Sequence, residues 1–362
     1  LLTTDCEDFV DLPFFGSDGA PPSVRRPQFV VQVSDAGAEE WAEALVSVRV
    51  EMGLAPAVDA VTLHVANEAR APGVAVGDEG TVELGYEDSG AELVFTGTVA
   101  GVRHSLAGST RVTLLNGSGR LARLRVNQSF RQQKAGEIVE ELVGQVGMSG
   151  DRIEDGIEYP FYVVDSGRSV YGHIGLLAAR NGFLAYVTPE DRLDFRPIVA
   201  EEAEHTFTYG VDIVAFHLAD ATPVNGRVTL TGEGAAGSNG VEAWSWLVKE
   251  PASVQHTAGS DDPARRRSEP SLRSGAAVEE GAAGLLATQT LTNQTGVLHL
   301  PGAPSVRAGS VVAVAEASQE SLDGLYLVRH LRHRYDKRGG FGTRLYVSKA
   351  GEGGFRILDF GL

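Results

Sequence analysis

Several things are scarce in this sequence, and each shortage closes off a class of function. Cys6 is the sole cysteine, so no intrachain disulfide can form, and the chain is expected to fold and assemble in a reducing cytoplasm. No apolar run approaches the ~20 residues of a membrane-spanning helix. No signal peptide opens the chain, and it begins at Leu1 without methionine, so a native start ahead of it is expected. Lysine is confined to Lys134, Lys249, Lys337 and Lys349. Basic charge as a whole is short: 31 Lys and Arg face 48 Asp and Glu, for a formal net charge of −17. That balance disfavours a sequence-independent grip on nucleic acid, which needs a basic surface. Catalytic signatures are absent too, with no Gly-x-Ser-x-Gly elbow, His-Glu-x-x-His helix or Gly-x-x-x-x-Gly-Lys loop. His330 and His333 are three apart on an expected strand, so they point to opposite faces and cannot share a metal. The expectation is a non-enzyme without cofactor or metal.

What is present is enough apolar content, 43% of 362 residues, for two or three folded domains. Residues 1–28, rich in Gly and Pro, read as an arm that orders against a partner surface. Over 29–126, seven short alternating runs, the last at 121–126, are separated by turn residues and predict a first β-barrel. The period changes over 127–200: Ile138, Val139, Leu142, Val143 and Val146 mark an amphipathic helix, and an α/β connector is expected. Strands resume over 201–350, predicting a second barrel with a helix at 278–293. A polar stretch at 250–275 containing Asp261, Asp262 and Arg265-Arg266-Arg267 predicts a mobile loop. Residues 351–362 form a tail in which Phe355, Ile357, Leu358 and Phe360 are candidate contacts to neighbouring subunits or a spike.

Two features organise the chain. Residues 157–197 predict a strand, then a helix, then a hairpin. Ser166 or Ser169 can cap the helix, Val170, Ile174, Leu177 and Ala178 line its apolar face, and Asn181-Gly182 ends it. Ile174, Leu177 and Phe183 are the residues expected to hold this connector by packing. The second feature is an internal repeat. Gly97, Val99 and Val102-Arg103-His104, followed by Thr110-Arg111-Val112-Thr113-Leu114, match Val328 and Leu331-Arg332-His333, followed by Thr343-Arg344-Leu345-Tyr346-Val347. Upstream, "VGDEGTVELGY" has a looser echo in "RAGSVVAVAEA". Three chains that each carry two similar barrels present six, which suits a threefold-to-sixfold joint.

The order of "VGDEGTVELGY", "LVFTGTVAGV", "RLARLRVNQSF", "I..LAARNGF" and "LDGLYLVRHLRHRYDKRGGFGTRL" resembles the late control gene D family, the baseplate hub of contractile phage tails and related injection systems. Gly324, Tyr326, Val328, His333, Gly340 and Thr343 occupy its recurring positions, and the resemblance covers roughly residues 29–348. It implies a mainly β fold of two tandem tail-tube-like barrels joined by an α/β connector. It also implies a homotrimer between a central spike and the inner tube protein, among other baseplate components, in a phage tail or tail-like particle. Residues 350–362 leave no room for a fused needle, so the spike is expected to be a separate protein. An alternative of a different class is a carbohydrate-binding or peptidoglycan-degrading tail component, motivated by Trp244 and Trp246 on one face of an expected strand.

Overall fold

The computed structural model describes residues 25–34, 38–66, 73–105, 109–221, 226–235, 249–250 and 254–350. The first β region comprises β1 (Pro27–Val33), β2 (Leu45–Gly53), β3 (Ala60–Ala66), β4 (Glu79–Tyr86), β5 (Gly90–Arg103) and β6 (Ser109–Leu115), with α1 (Ala38–Ala44) before β2. The connector holds α2 (Gly117–Arg123), β7 (Gln128–Lys134), α3 (Ala135–Gly144), β8 (Gly150–Ile153), β9 (Glu158–Val164), α4 (Val170–Asn181), β10 (Phe183–Val187) and β11 (Leu193–Pro197). After β12 (His205–Thr208) and β13 (Ala215–Asp220) the chain makes an excursion. It runs through β14 (Arg227–Thr231), β15 (Gly234–Ala235), β16 (Lys249–Glu250), β17 (Gln255–Gly259), β18 (Ala264–Ser268) and α5 (Gly275–Thr290). It then returns as β19 (Gln294–Pro301), β20 (Val311–Ala315), β21 (Gly324–Asp336) and β22 (Gly340–Lys349).

The fold is mainly β, as the alternation predicts. On β2, Val48, Val50 and Met52 are buried while Arg49 and Glu51 face outward, and β3 repeats the pattern with Val61, Leu63 and Val65 inside. α4 begins where Ser169 Oγ accepts a hydrogen bond from Gly172 N, and stops at Gly182, whose left-handed φ of 64° suits glycine.

Three expectations are corrected. The two β regions are one hydrogen-bonded sheet of twelve strands rather than two separate barrels. Its halves run β1-β4-β5-β6-β3-β2 and β12-β20-β21-β22-β19-β13, and β2 pairs antiparallel with β21 to join them. Among the described residues no ladder joins β1 to β2, or β12 to β13, so each half is open. β21 makes the fusion possible because it is long: Gly324 to Leu327 pair with β20, and His330 to Asp336 pair with β2 on the same edge.

Second, 250–275 is not a loop where it is described. β17 and β18 flank β14, antiparallel and parallel respectively. Only the central strand supplies buried apolar side chains, Val228 and Leu230, so its polar flanks carry no apolar pattern to read. This small sheet and α5 pack on the connector: Val228, Leu230, Leu272, Val278 and Leu285 share one apolar cluster with Ile138, Leu142, Ile174 and Leu177. Third, no strand forms over the expected 121–126: Leu121 to Arg123 close the helix α2, which Asn116 caps by accepting from Ser118 N, and residues 124–126 follow without regular structure.

Candidate functional site

The internal repeat extends far beyond the shared phrase. In the first half, β5 and β6 pair Arg103 with Arg111 and Val102 with Val112, then slip at a bulge between Val99 and Gly101. In the second, β21 and β22 pair Arg332 with Arg344 and Leu331 with Leu345, then slip at a bulge between Val328 and His330. These are the same positions of the repeat. One strand further, His64 of β3 faces Arg111, and His299 of β19 faces Arg344. The turn before β4 holds Gly77 N to Val99 O at 2.8 Å and Val99 N to Asp78 O at 2.8 Å. Its counterpart before β20 holds Gly309 N to Val328 O at 2.8 Å and Val328 N to Ser310 O at 2.9 Å. Both glycines have positive φ, 99° and 82°. Five strands, β2 to β6, therefore recur as β13 and β19 to β22 with the same order, direction and register. The sixth differs: β1 runs antiparallel to β4, whereas β12 runs parallel to β20.

Equivalent positions nonetheless differ in burial, and the difference is systematic. Leu331 and His333 on β21 are 0% and 1% exposed because β2 lies alongside. Their counterparts on β5 and just beyond it, Val102 and His104, are half-buried and exposed, since among the described residues no strand neighbours that edge. Val48 and Val50 on β2 are both 0% exposed, while their counterparts Phe216 and Leu218 on the outermost strand β13 are half-buried. Beside β13 the surface is apolar and open, with Tyr209 49%, Val211 70% and Val214 50% exposed. Among the described residues, one chain thus carries two open edges of the kinds that β2 and β21 already join. His104 and His333, matched in sequence, occupy different environments for this reason. Burial pushes the His333 imidazole down to about 3, with the Arg307 charge adding to the effect, while its Nδ1 lies 2.9 Å from Thr343 Oγ1.

The connector clamps both halves. Ile174 and Leu177 of α4 are fully buried in its core, and half-buried Phe183 packs against that core with its ring 5.0 Å from Phe195. The β10–β11 hairpin has two apolar faces. Ala185, Val187 and Phe195 join the connector core, while Leu184 and Tyr186 pack with Val311 and Leu327 of the second half. Tyr186 donates to Asp194 at 2.7 Å, and Arg196 reaches Gly309 O at 3.1 Å.

Toward the first half the junction is polar, and the sequence offered little to find it. Buried Asp59 accepts from Gly53 N and Asn116 Nδ2, both at 2.8 Å, and its own N–H donates to Ser118 Oγ at 2.9 Å. Burial raises the Asp59 carboxyl to about 7, since these donors only partly offset desolvation. Asp191 then ties α2 to the hairpin through Gly117 N at 2.5 Å and Arg120 at 2.8 Å.

Among the described residues no group of three His, Cys, Asp or Glu side chains is placed to hold a metal ion, and no helix is long and apolar enough to cross a membrane. His330 and His333 lie on opposite faces of β21, as their spacing predicts. Phe355, Ile357, Leu358 and Phe360, and likewise Trp244 and Trp246, lie outside the described residues.

No family model matches this chain, and no curated protein matches it in sequence. Solved structures do match. A 43 kDa tail protein of prophage MuSo2 from Shewanella oneidensis superposes with a TM-score of 0.67 at 14% identity, covering 89% of this chain and 98% of that one. A tail protein from Neisseria meningitidis MC58 gives 0.66 at 13% identity, covering 91% and 98%. The c3393 protein of E. coli gives 0.59 at 10% identity, covering 91% and 79%; it is a type VI secretion component described as similar to the T4 tail proteins gp27 and gp5. Along about nine-tenths of its length, this chain has the fold of these tail proteins.

Proposed function

We propose that this chain is the hub of a contractile baseplate, a homotrimer that adapts a threefold central spike to the sixfold inner tube. The observation that carries the reading is the complementarity of its two free edges. The β2–β21 ladder already joins one repeat to the next within the chain. The same ladder, formed between β13 of one copy and the far end of β5 in the next, continues the pattern head to tail. Such a heterologous contact generates a ring when its rotation closes, and β-strand addition satisfies two open edges at once. In that register Ala219 faces Arg103 of the next copy, and Leu218 faces its His104. Three copies then present six equivalent five-stranded units, which is the symmetry match the hub reading requires.

The resemblances support the same role, since each superposed neighbour is a tail protein or a secretion component compared with tail proteins. The spike below, the tube protein above and other baseplate components are the partners of this reading. Residues 355–360 are the candidate reach toward them. Shape and edge complementarity carry the function, with no catalytic residue. The test is a cysteine pair, Ala219→Cys with Arg103→Cys in a Cys6→Ser background. Oxidation should yield a closed trimer without higher species, and negative-stain images should show a ring with six lobes. A protein that stays monomeric with its spike present and forms no cross-link overturns the proposal.

A further inference from the structure

The outward face of the sheet carries charge that the formal total conceals. Across β5, β6, β3, β2, β21 and β22, the side chains opposite the core include Arg103, Arg111, His64, Arg49, Arg334, Arg332 and Arg344. Arg49, Arg103, Arg111 and Arg334 are exposed, and Arg332 and Arg344 are half-buried. Glu51, paired to Arg332 at 2.6 Å, and Asp336 at the rim are the acids in these rows. Among the described residues no carboxylate forms an ion pair with Arg49, Arg103, Arg111 or Arg344.

Three arginine pairs sit directly opposite one another on neighbouring strands: Arg103 with Arg111, Arg332 with Arg344, and Arg49 with Arg334. Like charges in that position destabilise a sheet. The first two pairs occupy the same position of the repeat, but Glu51 offsets the Arg332 charge, so the full cost falls on Arg103 with Arg111. The imidazoles among them register the field: burial, then the Arg111 and Arg49 charges, lower His64, and burial, then Arg344 and His217, lower His299 to about 4.

We propose that this arginine face binds the phosphate backbone of duplex DNA. Six strands span roughly 24 Å at about 4.8 Å per step, a length over which one DNA strand presents about seven phosphates. Arg49, Arg103, Arg111 and Arg344, which no carboxylate pairs among the described residues, supply charge along that length. Thr62, Thr113, Gly101 and Gly342 lie between them and keep the face low enough for close approach. A protein partner is disfavoured because interface cores are depleted of charge and rich in apolar anchors, whereas Tyr346, beside His330, is the one Phe, Tyr or Trp on these outward rows. The acidic remainder of the chain confines binding to this face. The inference concerns a single chain and stands or falls separately from the trimer.

The test is fluorescence anisotropy of a labelled 30-base-pair duplex of arbitrary sequence at several salt concentrations. The wild-type protein should bind at 50 mM salt and weaken steeply as salt rises. Arg49→Gln with Arg111→Gln and Arg344→Gln should lose at least tenfold in affinity, and its salt slope should fall by about 2.7, or ~0.9 per lost phosphate contact. Arg265→Gln with Arg266→Gln, exposed on β18, should change neither. Phenylglyoxal footprinting of the unaltered protein reads the same face without a variant: DNA should protect Arg49, Arg103 and Arg111 but not Arg265 or Arg266. No binding at 50 mM salt, equal losses in both variants, or uniform protection overturns the proposal. So does a triple variant that keeps its DNA affinity but changes oligomeric state, which would make the face a contact between copies.

Discussion

At the scale of single residues, two buried titratable groups give the fold opposite pH responses. The Asp59 carboxyl is raised to about 7 in the folded chain, against 3.8 ordinarily. Below about pH 4 both folded and unfolded chains hold its proton; between 4 and 7 the folded chain retains a proton that the unfolded chain has released. Stability from this group therefore falls as pH rises through that window, by something on the order of a few kcal/mol. Asp59→Asn should remove the effect, so thermal melts of variant and wild type should shift in favour of the variant between pH 5 and pH 8. A constant difference would place the carboxylate in a wetter site. His333 works the other way. Its folded value of about 3 lies below the usual 6.5, so its contribution is complete above 6.5 and is lost as pH falls toward 3. His333→Gln, able to keep the Thr343 hydrogen bond, should flatten the acid limb of the stability profile.

The equivalent glycines provide a third check on residue-level logic. Gly77 has open space where a Cβ would stand, so Gly77→Ala should cost about 1 kcal/mol, from positive φ alone. At Gly309 a Cβ would sit 2.6 Å from the Tyr186 ring, which Asp194 and Arg196 hold in place. Gly309→Ala should cost ~3 kcal/mol through that added clash, measurable by urea unfolding. Equal costs would mean that the ring can move aside.

At the scale of elements, α4 and the β10–β11 hairpin set how the connector meets the sheet. Ile174→Asp places a carboxylate among Leu142, Leu177 and Phe195 and should cost upward of about 3 kcal/mol. If this core holds the two halves at a set angle, the variant should also lose trimer assembly in mass photometry; intact trimers would separate the connector from assembly. The buried pair of Arg180 with Glu269, 2.6 Å apart and each 8% exposed, ties α4 to the excursion. Glu269→Ala should cost about 3–5 kcal/mol, because it strands the guanidinium. Much of α4 was legible in sequence: Ser169, the Val170-Ile174-Leu177 spacing and Gly182 each report a local preference. The β14–β17–β18 sheet was not, because a three-stranded layer with one apolar face needs apolar residues chiefly on its middle strand. Asp59 was equally silent, since a lone carboxylate signals nothing until Asn116, Ser118 and Gly53 surround it.

At the scale of the whole molecule, the duplication explains why so much surface is half-covered. Each free edge is what remains when an internal ladder is repeated one time fewer than its parts allow. Adding isolated β13-edge peptide, residues 211–221, should therefore inhibit ring formation; rings that form undiminished would argue that the edge is covered otherwise. By itself the sequence determined what depends on near neighbours. It set strand alternation, the capped helix, the mainly β class and the matched phrases around Arg103 and Arg332, because period, caps and turn residues act over a few positions. Only the tertiary structure decided that the two β regions share one sheet, that the polar excursion belongs to the connector, and that arginines stand opposite one another in three cross-strand pairs. Those are pairings between residues up to hundreds of positions apart, and strand register, which one added residue would invert, is fixed by packing across the sheet rather than by any local preference.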